Sequence, residues 1–426
     1  MKSIQKVLLV LSLTTVSALV FAQSKLKITI IGDSTVCNYA SSKYPQAGWG
    51  QVLDRFFISG SVTVNNRAIG GRSSRSFYQE GRWAEVLSKL ESGEYVFIQF
   101  GHNDRDFTKE ERYTDTLQYK EYLRKYVNES RKKGAIPVFV SPMNMNAWNG
   151  ANVREVFCEG ANNYRGAMFN VSKELDVPFI DLEKKSVALQ KRMGANYCAK
   201  FIYLGLDARE YPNFPDGSSD GTHFQEMGAN FMAKFVCEGI DENKSHPDME
   251  RLAALLKPLH KLEVLSNKPD AGMITEDGNT FPEGVSITVK VKPNAGEKFI
   301  GWYDSSDKNV STSQVYTFTM PDGDVSFLAR FQGGKDPVHV IKSQVNHSEN
   351  IIFNPSECSI RVSRPFGKMK IEVFSTDGRR VLTKQVKQES GTAVIKIPLN
   401  RLNPGSYLLK TTIDGNETVN SFRYLL

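Results

Sequence analysis

Ser34 ends the run Ile30-Ile31-Gly32-Asp33-Ser34 near the start of the 426-residue chain. A serine hydroxyl is a weak nucleophile. It needs an adjacent base and preorganised donors for the oxyanion its attack creates. Of six histidines, His223 has the context of a base, in Ser219-Asp220-Gly221-Thr222-His223-Phe224. Asp220, three residues upstream in what reads as a turn, can orient the imidazole through Nδ1 and leave Nε2 facing outward. Two stretches offer oxyanion donors. Ala68-Ile69-Gly70-Gly71-Arg72-Ser73 brings glycine N–H groups that can approach a substrate closely, and Gly101-His102-Asn103-Asp104 brings the Asn103 amide. Singly, an Asp-x-x-His is more often a cap or loop, a Gly-Gly a tight turn, and a loop Asn an Asx-turn. Their weight comes from combination.

Other residues compete for these roles. Gly217-Ser218-Ser219-Asp220-Gly221 formally matches Gly-x-Ser-x-Gly, which would make Ser219 the nucleophile. That motif needs a strand before it and a helix after it. Pro212 and Pro215 just upstream argue for a loop instead. Cys37 lies close to Ser34 but in a weaker context. Arg72 and Arg75 flank the glycine block and can either grip a sugar carboxylate bidentately or tie the loop to backbone carbonyls. Trp148 and Tyr211 can either stack on sugar rings or anchor their loops.

The elements that must carry these residues are legible from periodicity. Apolar runs at Lys25–Ile31, Val62–Asn66, Tyr95–Phe100, Ile136–Val140 and Pro178–Leu182 read as buried strands. Trp49–Phe56, roughly Thr114–Lys133, Arg154–Leu175 and about Gln225–Ile240 read as helices. The alternation predicts an α/β fold, a doubly wound parallel sheet with covering helices. Ser34, the glycine pair and Asn103 then follow three consecutive strands and meet at one sheet edge, where such folds hold ligands.

All four blocks, in order over about 240 residues, resemble the SGNH (GDSL-type) hydrolases. The strings Gly32-Asp33-Ser34-Thr35, Asn66 to Phe77, Phe100 to Asp104 and Asp220 to Phe224 resemble the rhamnogalacturonan acetylesterase branch in particular. The resemblance implies a flavodoxin-like sheet, acetyl-ester hydrolysis, and neither cofactor nor metal. It implies Ser34, Asp220 and His223 as the catalytic set and Ser34, Gly71 and Asn103 as the oxyanion hole, with Gly70 the alternative donor. Arg72, Arg75 and Trp148 are candidates for substrate binding, and an acetylated plant polysaccharide such as pectin is the expected substrate. The competing expectations are an acetylxylan or broad-specificity esterase and a catalytically idle glycan-binding surface protein.

After residue 262 helical periodicity gives way to short β-like runs, including Val285–Val289 and Val315–Thr319, separated by Gly, Pro, Asp and Asn. Residues 263–334, through Pro282 to Val285, Lys292 to Tyr303 and Tyr316 to Met320, resemble the internalin-type B-repeat. Trp302 reads there as core. A second break falls at Gly333–Pro337. Residues 335–426 form a further small β unit. Within it Asn354-Pro355, Ile371 to Phe374, Asp377-Gly378-Arg379 and Leu402 to Tyr407 resemble the C-terminal sorting domain of type IX secretion. That resemblance implies the secretion machinery as partner.

Residues 1–22 read as a signal peptide: Lys2 and Lys6, an apolar run Val7–Val16, then Val20-Phe21-Ala22. The expected destination is the medium or outer surface of a bacterium, with no transmembrane segment. The net charge of +7 is unevenly spread and forms no dense Lys/Arg stripe, which excludes a nucleic-acid signature. Five cysteines, Cys37, Cys158, Cys198, Cys237 and Cys358, leave at least one unpaired, and none has zinc-ligand spacing.

Overall fold

Five parallel strands form the central sheet of the computed structural model: β1 (Leu26–Gly32), β2 (Val62–Asn66), β3 (Tyr95–Gln99), β4 (Ile136–Val140) and β5 (Phe179–Ile180), in the order β2-β1-β3-β4-β5. The structure describes residues 25–334 and, beyond them, 339–341, 349–354, 357–362, 367–375, 379–387, 393–398, 402 and 405–424. The expected leader at 1–22 and most of the break at 333–337 lie outside the described residues.

The sheet is covered on both faces, so its central strands Tyr95–Gln99 and Ile136–Val140 are nearly continuous apolar runs, while the edge strand Val62–Asn66 is half polar. Side-chain direction still alternates. Ile28, Ile30, Phe97, Val138 and Val140 face one core with Trp49, Phe231 and Met232. Ile31, Val96, Ile98 and Phe139 face the other with Phe77, Trp83, Tyr119 and Tyr126. All the named strand residues are fully buried, and each such side chain contributes about 1.5–3 kcal/mol relative to exposure.

The order reverses at β1, with β2 on one side and β3 on the other. A crevice therefore opens at the carboxyl ends of these strands. Ser34 follows β1, Gly70 and Gly71 follow β2, and Asn103 follows β3. This is the α/β doubly wound arrangement expected from the alternation of elements.

The helices differ in detail from the periodicity. Helix Thr116–Lys132 is capped by Asp115, whose carboxylate accepts from the Leu117 and Gln118 N–H groups. Helix Glu226–Glu242 runs close to its expected span. The expected helix from Arg154 begins only at Tyr164. Asn144 bonds across the delay: its amide accepts from Val156 N–H and donates to the Arg154 carbonyl, which removes that carbonyl as an acceptor for a first helical turn. Trp49–Phe56 makes one α turn, Trp49–Val52, before tightening to a 3-10 turn. Helix Leu182–Met193 was not foreseen.

Two β units follow. The first combines a five-stranded sheet, which contains His260–Ser266, Phe299–Asp304 and Val325–Phe331, with a three-stranded one of Gly272–Ile274, Ser286–Pro293 and Val315–Thr319. Trp302 is fully buried in it. The second contains Lys368–Ser375 paired on both sides, by Arg380–Lys387 and Gly405–Ile413, around Ile371, Val373 and Leu409.

Candidate active site

The turn after β1 is held from beneath by a buried chain of hydrogen bonds. Asp33 Oδ1 accepts from the Thr35 N–H at 2.9 Å and the Thr35 hydroxyl at 2.8 Å. The same hydroxyl accepts from Gln99 Nε2 at 2.7 Å, and Gln99 Oε1 accepts from Trp49 Nε1 at 2.8 Å. Asp33, Thr35, Gln99 and Trp49 are all fully buried, and the chain of bonds through Asp33 Oδ1 holds the turn in place. Asp33 Oδ2 faces His102 Nδ1 at 3.4 Å. Burial pushes the Asp33 carboxyl up, but the His102 charge and the Thr35 bonds outweigh it and hold the group low. Ser34 is half-buried above this floor, its carbonyl accepting from the Tyr39 hydroxyl at 2.8 Å.

Ser34 Oγ lies 2.9 Å from His223 Nε2, and His223 Nδ1 lies 2.5 Å from Asp220 Oδ2. The other Asp220 oxygen accepts from the Thr222 and His223 N–H groups at 2.7 and 3.0 Å. Burial raises the Asp220 carboxyl, yet the bond and charge of His223 prevail and bring it down to about 2. The expected turn is in fact a short strand, Asp220–Gln225. It pairs with Tyr203–Leu204 at Asp220 and at Phe224, and bulges between them. A bulge re-aims side chains, which lets residues three apart meet. Alternation in a flat strand would put Asp220 and His223 on opposite faces.

On the other side of Ser34, Gly70 packs close enough that a Cβ built on it would lie 3.5 Å from Ser34 Cβ, an ordinary contact. Gly71 takes φ +79°, a conformation that favours glycine. Its N–H has no acceptor among the described residues. Asn103 is 8% exposed, and its amide donates to the Arg72 carbonyl at 3.0 Å, which ties the third strand's loop to the glycine loop. Its second amide N–H remains available.

Behind this loop Asp104 is fully buried and accepts from Ser74 N–H at 3.0 Å and Ser74 Oγ at 2.5 Å. Burial, only partly offset by Ser74, pushes its carboxyl up to about 7. Its Oδ2 has no partner among the described residues, as suits a protonated acid. A group whose pKa is raised by folding stabilises fully at low pH and less as pH rises through the raised value. Asp104→Asn removes that titration and keeps the acceptor. Its Tm should therefore gain on the wild type between pH 4 and pH 8 in a calorimetric series, whereas a constant Tm difference would refute the assignment.

The remaining candidates are placed as follows. Arg72 pairs with Glu80 at 3.1 Å and donates to the Gly70 carbonyl at 2.9 Å. Arg75 donates to the carbonyls of Tyr113 and Glu110. Both brace the loop, which leaves Arg75 in particular committed to backbone rather than open to a carboxylate. Trp148 is half-buried in a hairpin, Trp148–Asn149 with Asn152–Val153, and donates to Asn146 at 2.6 Å. The Asn146 N–H in turn donates to the Gly221 carbonyl, beside His223. Tyr211 is 5% exposed and packs edge-on against Tyr44, so the sugar-stacking alternative fails for it by burial. Ser219 precedes a strand rather than a helix, the reverse of what its motif requires.

Cys37, Cys158, Cys198 and Cys237 are free thiols, and Cys358 lies where side chains are not described. Among the described residues, Glu155, Cys158 and Glu183 place ligand-type atoms within 4.8 Å of one another, but Glu155 is paired with Lys191. The cluster shares no residue with the site above. Sequence reasoning passed over Asp33, Gln99, Trp49 and Asp104 as supports. The signal available was a glutamine closing the apolar run Tyr95-Val96-Phe97-Ile98 and an Asp inside each of two blocks.

A GDSL-like lipase/acylhydrolase family model matches residues 28–236, a divergent InlB B-repeat domain residues 263–335, and a secretion system C-terminal sorting domain residues 350–422. Rhamnogalacturonan acetylesterase RhgT of Bacillus subtilis (strain 168) is 38% identical over 202 residues, 47% of this chain and 83% of that protein. Probable rhamnogalacturonan acetylesterase YesY of the same organism is 38% identical over 189 residues, 44% of this chain and 84% of that one. The crystal structure of YxiM from Bacillus subtilis is 24% identical with a TM-score of 0.44, covering 53% of this chain and 58% of that chain. The sorting domain marks the protein for type IX secretion to the outer surface or extracellular space. Among the described residues no helix is long and apolar enough to cross a membrane. With a serine, histidine and aspartate in hydrogen-bonded sequence at the sheet's switch point, and relatives of this identity matched over most of their length, the chain belongs to the GDSL-like lipase/acylhydrolase family and is a carboxylic ester hydrolase.

Proposed function

We propose that the protein removes O-acetyl groups from a polysaccharide, with acetylated rhamnogalacturonan of pectin as the favoured substrate. The observation that carries the chemistry is the unbroken relay from Asp220 through His223 to Ser34, at 2.5 and 2.9 Å. In this reading His223 Nε2 takes the Ser34 proton as Oγ attacks the acetyl carbonyl. The N–H groups of Ser34 and Gly71 and the Asn103 amide receive the oxyanion. His223 returns the proton to the leaving sugar oxygen, and water, activated by the same imidazole, releases acetate from Ser34. Trp148, on the hairpin beside Gly221, offers a half-exposed ring to the sugar.

The polymer is inferred from two relatives named as rhamnogalacturonan acetylesterases, both 38% identical. We read residues 23–262 as the hydrolase, 263–334 as a β domain and 335–426 as the sorting domain. Acetate release from acetylated rhamnogalacturonan, acetylxylan and p-nitrophenyl acetate tests the reading. We expect kcat/KM to be highest on rhamnogalacturonan by at least about tenfold, a preference worth ~1.4 kcal/mol in the transition state. Equal values on all three would make it a broad esterase, and no release from any would leave only glycan binding.

A further inference from the structure

The strand that carries Asp220 and His223 meets its neighbour Tyr203–Leu204 only at its ends, and between them the Asn146 N–H holds the Gly221 carbonyl. Asp220 pairs with Leu204 and Phe224 with Tyr203, while Gly221, Thr222 and His223 bulge between them. A bulge leaves its own residues outside the ladder, so where the imidazole points depends on how firmly the flanks are held. At the C-terminal flank stands Gln225, 3% exposed. Its amide N–H donates to the carbonyls of Lys200 at 2.9 Å and Tyr203 at 2.6 Å. Its Oε1 accepts from Lys290 Nζ at 3.1 Å.

Lys290 belongs to a different domain. It sits on Ser286–Pro293, in the three-stranded sheet of the first β unit, and is 6% exposed. Besides Gln225 it donates to the Lys200 carbonyl at 2.7 Å and pairs with Glu210. Glu210 lies in the segment that leads into Asp220, where its other oxygen accepts from the Asp207 N–H at 2.8 Å. The ammonium thus has two hydrogen-bond acceptors and one ion-pair partner, with the rings of Phe201 and Tyr211 at 5.4 and 5.7 Å. A spacer domain has no use for a buried cation, which is costly unless its partners are fixed. The surrounding contact is extensive. Asn230 donates to the Ser286 carbonyl at 2.6 Å, Lys292 pairs with Asp207 at 2.6 Å, and Arg192 with Glu276 at 3.0 Å. Ile287 and Val289 continue the core formed by helix Glu226–Glu242.

We propose that the first β domain is a working part of the esterase site and that Lys290 is a positioning residue supplied by it. Lys290 clamps Gln225 and Glu210, which flank Asp220 and His223 along the chain, so that the bulge presents Nε2 to Ser34. The inference rests on the esterase reading above and adds to it a role for residues 263–334.

The test uses the full chain and p-nitrophenyl acetate. Lys290→Met keeps the aliphatic stem and removes the ammonium. We expect kcat to fall about 10- to 100-fold with KM within about twofold, because misplacing a catalytic group by ~1 Å is enough for such a loss. Lys292→Met cuts a half-exposed pair at the rim of the same interface and should keep wild-type kcat. Wild-type kcat in Lys290→Met would overturn the proposal. So would equal losses of kcat and Tm in the two variants, since that pattern belongs to domain docking alone. Should Lys290→Met fail to fold, Glu210→Gln decides, with a severalfold loss of kcat at retained Tm expected and unchanged kcat overturning. Absence of turnover in the wild-type protein would instead overturn the esterase reading itself.

Discussion

Replacing Ser34 or His223 with alanine is expected to lower kcat for acetyl-ester hydrolysis by about 10⁶-fold, and the double replacement should lower it no further. The two side chains act as one unit across a 2.9 Å contact. Without Oγ there is nothing for the imidazole to deprotonate, and without the imidazole the hydroxyl stays a weak nucleophile. Asp220→Asn is expected to cost about 10⁴-fold, less than either. The reason is visible in its bonds. Asp220 Oδ1 holds two backbone N–H groups while Oδ2 faces His223 Nδ1. An asparagine that keeps its oxygen on the backbone donors must turn its NH₂ toward Nδ1. That selects the tautomer with the proton on Nε2, aimed at Ser34, and such an imidazole cannot accept the serine proton. Acetate-release rates of the three single variants and the Ser34→Ala/His223→Ala pair check the set. A Ser34→Ala protein that keeps more than about a hundredth of wild-type activity would be incompatible with a serine nucleophile.

The sheet was legible because buried parallel strands announce themselves as apolar runs, as Tyr95–Gln99 and Ile136–Val140 do here, while the edge strand Val62–Asn66 shows only its two valines. What periodicity could not see was tertiary. Asn144 competes with the first turn of the helix expected from Arg154 by taking the Arg154 carbonyl, which that helix would have used as an acceptor. The Asp220–His223 segment carries no strand signal, since Asp-Gly-Thr-His reads as a turn, and only pairing with Tyr203–Leu204 and Gln46–Ala47 makes Asp220–Gln225 a strand. The reactive residues were findable because Ser34, the glycine pair and Asn103 each follow a strand and because their types, with Asp220 and His223, are chemically complementary. Their supports were not, because a buried Gln99 or Asp104 in sequence is only a polar residue beside apolar ones. Lys290 lies 67 residues after His223 in chain order, inside a domain whose own pattern says nothing about catalysis. The arginines show the converse: Arg72 and Arg75 had a chemically attractive role, and Glu80, for Arg72, and the Glu110 and Tyr113 carbonyls, for Arg75, had first claim on them.

Asn103 carries two separable jobs, and its variants should tell them apart. One amide N–H ties the Arg72 carbonyl at 3.0 Å, a contact present in the resting enzyme. The other is assigned to an oxyanion that exists fully only in the transition state. Losing the first job loosens the glycine loop and lowers Tm. Losing the second lowers kcat with KM nearly unchanged, because ground-state binding hardly uses it. Asn103→Ala removes both and is expected to reduce kcat by about 10²–10³-fold, the usual cost of one oxyanion donor. Asn103→Asp should be at least as damaging: a carboxylate donates to neither partner and, 8% exposed as Asn103 is, sets a negative charge against the developing one. If Asn103 served only as a turn residue between Gly101 and Asp104, aspartate would suit that turn nearly as well, and activity would survive. Steady-state kinetics of the two variants, with Tm measured alongside, separate these outcomes. An Asn103→Asp enzyme with near wild-type kcat would remove Asn103 from the oxyanion hole and leave the charge to the backbone N–H groups of Ser34 and Gly71.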